Sequence, residues 1–179
     1  MKRIILTLML ACISVFAFAQ KSSLLRPRME IAEITKEEKT RLEIFYMNDE
    51  SPRMYYLSLG NLGVGSDYVQ LEIDPATELF LPLGGTVDEA IDRMEQLISL
   101  YKMDNMESTE VDGYFSLLYP TGDLMPVKVT YTKLLLSNVL AFSIPTEIQD
   151  VVRATYVHRS DMRSILSSLK FYKKLYPKN

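Results

Sequence analysis

The chain has 179 residues, 47% of them apolar, with 20 Lys and Arg against 23 Asp and Glu, one His, one Cys and no Trp. That acidic balance argues against a nucleic-acid binder, which carries a basic excess on one face. The size allows a single core that needs no covalent staple.

The first element is an export signal. Lys2 and Arg3 form a positive start, Ile4 to Phe18 are almost wholly apolar, and Ala17-Phe18-Ala19 places small residues where a signal peptidase reads them. Cleavage between Ala19 and Gln20 follows as the expectation. The apolar run is shorter than the roughly 20 residues that cross a bilayer, and nothing after Ala19 is long and apolar enough to span one. Lipidation at Cys12 is the competing reading, with Met9-Leu10-Ala11 before the cysteine. It is disfavoured because the residues after Cys12 are apolar where a lipidated protein usually carries a polar tether. Removing the signal removes the only cysteine, so the mature chain forms no internal disulfide and offers no thiolate to a metal or substrate. It also leaves 18 basic residues against 23 acidic, a formal net charge of −5. From Leu124 onward, however, nine Lys or Arg meet only Glu147, Asp150 and Asp161.

Residues 20–28 read as a short polar lead-in, and residues 29–179 as one domain. Met29 to Thr35 and Arg41 to Met47 flank the polar connection 36–39 in the manner of a hairpin, and Arg53 to Leu59 follows as a Tyr-rich strand. Asn61 to Ser66, with Gly63 and Gly65, reads as a flexible loop. Tyr68 to Ile73 alternates cleanly, so one side of that sheet faces water. Glu78 to Leu83 forms the next strand.

At Gly84-Gly85 the period changes. Thr86-Val87-Asp88-Glu89 is a capping box, and Val87, Ala90, Ile91, Met94, Leu97, Ile98 and Tyr101 fall on one stripe of a helix reaching about Lys102. Tyr114 to Tyr119 and Met125 to Thr132 form a second hairpin. Leu134 to Ile144 has no decisive period and leans to a buried strand pair turning at Ser137-Asn138 over a short helix, and Gln149 to Val157 is β-branched and extended. Ser160 is the expected N-cap of a closing helix with Met162, Ile165, Leu166, Leu169 and Tyr172 on its inner stripe. Lys170, Lys173 and Lys174 lie near its end, where the helix dipole favours cations.

The fold class is therefore α+β: a largely antiparallel, curved sheet of about eight strands with two amphipathic helices packed on it. Strands then helix, met twice, is open to reading as a degenerate duplicated unit with halves 29–103 and 111–176. A shift of 75 residues aligns Val87 with Met162 and Met94 with Leu169, a match that any two helices of period 3.6 give.

Chemistry is sparse. His158 is the single imidazole, at a strand–helix junction beside Arg159, where a lone histidine usually bonds the backbone. Ser167-Ser168-Leu169-Lys170 has the Ser-x-x-Lys spacing but sits late in a helix with no Lys-Thr-Gly partner. The acids from Asp104 to Asp112 offer oxygen ligands to a hard cation, yet Thr109 stands where a calcium loop needs glycine, so a solvated connection is the simpler reading. Paired carboxylates alone run glycoside hydrolysis, but no motif singles out a pair. No catalytic, cofactor or metal residue is assigned. Of eleven tyrosines, Tyr55 and Tyr56 are adjacent on a strand and point to opposite faces. With His158 and Arg159 they are the candidate partner-binding residues. The expected function is an exported, non-catalytic binding or assembly module of the bacterial envelope, periplasmic or extracellular, whose partner is another envelope protein. A carboxylate-dependent hydrolase, or a carrier of a lipid or other hydrophobic ligand, is the alternative.

Overall fold

The computed structural model describes residues 29–33, 40–45, 54–60, 62–66, 69–74, 77–116, 120, 123–133 and 137–177. The expected signal, with Cys12, Ala19 and Gln20, lies outside the described residues, as do the lead-in and the connection 36–39.

The strands are β1 (Met29–Glu33), β2 (Thr40–Phe45), β3 (Met54–Leu59), β4 (Leu62–Ser66), β5 (Val69–Asp74) and β6 (Glu78–Gly84). Helix α1 (Val87–Ser99) follows, extended by a 3-10 turn at Leu100–Lys102. Strands β7 (Ser108–Ser116), β8 (Met125–Lys133), β9 (Asn138–Pro145) and β10 (Val152–His158) lead into helix α2 (Arg159–Leu175). The strand order is β1-β2-β3-β6-β7-β8-β9-β10-β4-β5, and every neighbouring pair is antiparallel. Without the β4–β5 hairpin, eight strands stand in chain order. Each half is a four-strand meander followed by a helix, with β4–β5 inserted into the first meander and docked on β10 of the second.

The sheet curls into a half-barrel, and the connectivity requires it. Strands third and ninth in the order would stand roughly 29 Å apart in a flat sheet at the usual interstrand spacing. Yet β3 and β4 are joined only by Gly60 and Asn61, a link that reaches about 11 Å at full extension. The curl brings the flanks together, and Thr155 Oγ1 donates to the Gly60 carbonyl at 3.3 Å. The crease lies in β7. Its end, Tyr114 to Ser116, pairs with β6, while Ser108 to Gly113 pairs with β8. Gly113 sits at the changeover because there is no room for a side chain: a Cβ there would lie 2.8 Å from Val127 Cγ2 and 3.0 Å from Leu81 Cδ2.

Strand alternation sends Leu42 and Ile44, Tyr55 and Leu57, Leu79 and Leu81, Val127 and Val129, and Leu140 and Phe142 into the concave side. There they form one buried cluster with Val87, Ala90, Ile91, Met94 and Leu97 of α1 and Met162, Ile165, Leu169 and Tyr172 of α2. The capping box is formed: Thr86 Oγ1 accepts from Glu89 N at 3.2 Å, and Glu89 Oε2 accepts from Thr86 N at 3.3 Å and Gly85 N at 2.8 Å. The helices run antiparallel, with Lys170 on Glu95 at 2.6 Å and Lys173 on Asp88. Among the described residues no helix is long and apolar enough to cross a membrane.

Four boundaries differ from the sequence expectation. Residues 62–66 are strand β4, because Gly63 and Gly65 pair through their backbones with Ala154 and Val152 of β10, and a ladder bond needs no side chain. The acidic stretch is not one connecting loop: β7 begins at Ser108, so exposed Glu110 and Asp112 are strand residues, while Asp104 N donates to Glu107 Oε2 at 2.8 Å in the preceding turn. Residues 149–151 belong to the β9–β10 turn, where Thr146 accepts from and donates to the loop backbone. Helix α2 starts two residues early: His158 is the N-cap, without a side-chain cap bond, and the Ser160 hydroxyl turns to Asp161 Oδ1 at 3.1 Å. The ambiguous run 134–144 holds strand β9 from Asn138, so its second part is strand and Asn138 begins it; residues 134–136 lie outside the described residues.

Candidate functional site

The convex face of β2, β3 and β6 gathers polar residues that the sequence keeps far apart. Arg41 lies directly across from Ser58, and Ser58 across from Phe80, so Arg41, Glu43, Ser58 and Glu78 all project from the side opposite the core. Ser58 Oγ lies 2.8 Å from Glu43 Oε2 and 3.0 Å from Glu78 Oε2. Arg41 donates through Nη2 to Glu78 Oε1. Its Nε approaches Glu43 Oε1 at 3.1 Å, an ion-pair contact that is not aligned as a hydrogen bond. Here, then, are two facing acids, the arrangement a carboxylate hydrolase requires. Their circumstances oppose that use. The Glu43 side chain has 0% exposure and that of Glu78 11%, and both carboxylates are held by the same guanidinium and hydroxyl, which makes the cluster a cross-strand tie.

Beside it lies an aromatic group. Tyr56 meets Phe80 edge-on at 6.4 Å and Tyr114 at 6.3 Å between ring centroids. The Tyr56 ring is only 8% exposed, and burial, reinforced by Tyr114, pushes its phenol up to about 12. Tyr55 points the other way and is fully inside the core. The adjacent pair therefore divides between the two faces as strand geometry demands, and neither ring is offered freely to solvent.

His158 and Arg159 stand at the junction of β10 and α2, both partly exposed. The buried neighbour there is Tyr101, whose hydroxyl donates to the Val157 carbonyl at 2.7 Å. Burial raises the Tyr101 phenol far above its ordinary range; Asp161 adds to the rise and Arg159 opposes it. The junction is thus a hydrogen-bonded joint between the end of α1 and the start of α2, and His158 and Arg159 are its outer edge. The structure does not bring them near Tyr56: one pair lies at a strand end, the other in the middle of the β2–β3–β6 face. The Ser-x-x-Lys residues are also apart in function, because the Ser167 hydroxyl donates back to the Arg163 carbonyl at 2.9 Å while Lys170 reaches Glu95.

A surface that the sequence reading did not single out is the outer side of α2. Phe171 is 62% exposed, Leu175 56% and Tyr176 50%, the first two one helical turn apart outside the buried stripe. Lys170 and Lys174 flank them, and the last eighteen residues of the chain contain five Lys or Arg and no acid. The signal was present in the sequence: a second apolar spacing outside the core stripe of an otherwise amphipathic helix. Among the described residues no group of three or more His, Cys, Asp or Glu is placed to hold a metal ion. No protein-family model, curated protein or solved structure matches this chain.

Proposed function

We propose that this chain is an exported, non-catalytic binding or assembly module of the bacterial envelope, whose partner is another envelope protein seated on the outer face of α2. The observation that carries the reading is the exposure of Phe171 and Leu175 beside Lys170 and Lys174 on a helix that already buries its own apolar stripe. A scattered apolar residue on a surface is ordinary, whereas large ones grouped with one sign of charge mark contact surfaces. The basic flank selects a partner with an acidic rim. Against the hydrolase reading stands the state of Glu43 and Glu78, locked together by Arg41 and Ser58.

The test is recovery of the native protein from gently cross-linked cell envelopes, followed by identification of what accompanies it. A reproducible protein partner, lost when Phe171→Ser and Leu175→Ser are combined without a change in thermal midpoint, supports the reading. Recovery as an unaccompanied monomer overturns it.

A further inference from the structure

We propose that Arg153 and Phe115 form a binding site for a carboxylate or phosphate group carried on an apolar body. Arg153 lies on β10 directly opposite Ile144 of β9 and Val64 of β4, so it shares their side of the sheet. Phe115 comes from β7, three strands round the curl from β10, and the Arg153 guanidinium carbon stands 5.1 Å from the centre of its ring. Only a curled sheet brings these residues together, and they meet at the rim of the core, where Phe115 and Met125 pack against the buried cluster while staying partly open.

Apart from the Phe115 ring, the guanidinium has no partner among the described residues. Its side chain is partly buried, Nε is shut off from solvent without a hydrogen-bond partner, and among the described residues no carboxylate pairs with it. Arg41 by contrast is met by two carboxylates, whereas Arg159 Nε is, like that of Arg153, shut off without a hydrogen-bond partner. Withdrawing guanidinium donors from water without a partner is costly, and an arginine held against an aromatic ring has already lost much of its rotamer freedom. An oxyanion arriving there would meet the guanidinium in the fork geometry that carboxylate and phosphate share. The partly open Val64 and Phe115 beside it would take an apolar group attached to that anion. The site is on β10 near its first residues, away from the outer face of α2, so it stands independently of the protein-partner reading.

The experiment titrates the exported protein, as processed by the cell, with octanoate, octyl phosphate, octanol and inorganic phosphate, following heat of binding and the thermal midpoint. Both octyl anions should bind and raise the midpoint, octanol and inorganic phosphate should bind at least tenfold more weakly, and added salt should weaken the anions alone. Arg153→Met, which keeps the aliphatic stem, should lower octyl-anion affinity on the order of tenfold or more, as expected when a charge-assisted hydrogen bond is lost. Phe115→Leu should weaken binding while leaving salt sensitivity in place. The proposal is overturned if neither octyl anion binds at millimolar concentration, if octanol binds equally well, if inorganic phosphate matches octyl phosphate, or if a folded Arg153→Met binds as the parent does. Salt-independent binding to the parent overturns it even where Arg153→Met fails to fold.

Discussion

Gly113 offers the sharpest test of the crease. Adding one methyl there places a Cβ 2.8 Å from Val127 Cγ2, 3.0 Å from Leu81 Cδ2 and 3.3 Å from Leu79 Cδ1. The two leucine methyls are ends of flexible side chains and can swing away. Val127 cannot, since a β-branched side chain in a strand is stiff about its first torsion. Gly113→Ala should therefore destabilise by about 1–3 kcal/mol, the usual cost of overpacking a filled core. At about 2–4 °C per kcal/mol for a chain of this size, the thermal midpoint should fall by roughly 2–12 °C. The chain has no tryptophan, so urea unfolding is followed by far-ultraviolet circular dichroism or tyrosine emission. Val127→Ala alone should cost about 2 kcal/mol by lost burial. In the double variant the clash is gone, so the two losses should fall short of their sum by about 1 kcal/mol or more. An unchanged midpoint for Gly113→Ala, or additivity within about 0.5 kcal/mol, refutes the crowded crease.

Ser58→Ala removes the hydroxyl between Glu43 and Glu78 and should cost about 1–3 kcal/mol in urea unfolding, because buried carboxylate oxygens lose a donor. Thr86→Ala breaks the capping box and should cost about 0.5–2 kcal/mol. The raised Tyr56 phenol means that the folded chain keeps a proton the unfolded chain releases. Its stabilising contribution is complete below about pH 10 and lost as pH rises toward about 12. Tyr56→Phe should accordingly unfold at higher pH than the parent when alkaline unfolding is followed by circular dichroism; an equal or lower midpoint contradicts the assignment.

Local signals carried far in this chain. The capping box at Thr86, the 3.6-residue stripe of α1 and the strict alternation of Val127, Val129 and Tyr131 each depend on neighbours a few residues away, and each appears in the structure as the sequence implied. What depended on distant pairing was not legible. Gly63 and Gly65 have poor strand propensity, and only the open edge of β10, almost ninety residues later, makes them a strand. The tie of Arg41, Glu43, Ser58 and Glu78 arises from the register of three strands, and the meeting of Arg153 with Phe115 from the curl. Neither leaves a spacing in the sequence. Each four-strand meander ends in a helix, and Val87, Ala90 and Met94 of α1 and Met162, Ile165 and Leu169 of α2 all enter the shared core.

The outer face of α2, as the proposed contact surface for another envelope protein, is the feature on which the functional reading stands. It is tested most directly by placing a photo-activated cross-linking residue at position 171 or 175 in living cells, with position 128, exposed on β8, as the control. One discrete protein adduct from 171 and 175 and none from 128 is the expected result. No adduct at 171 or 175, or the same adducts from all three positions, would contradict it.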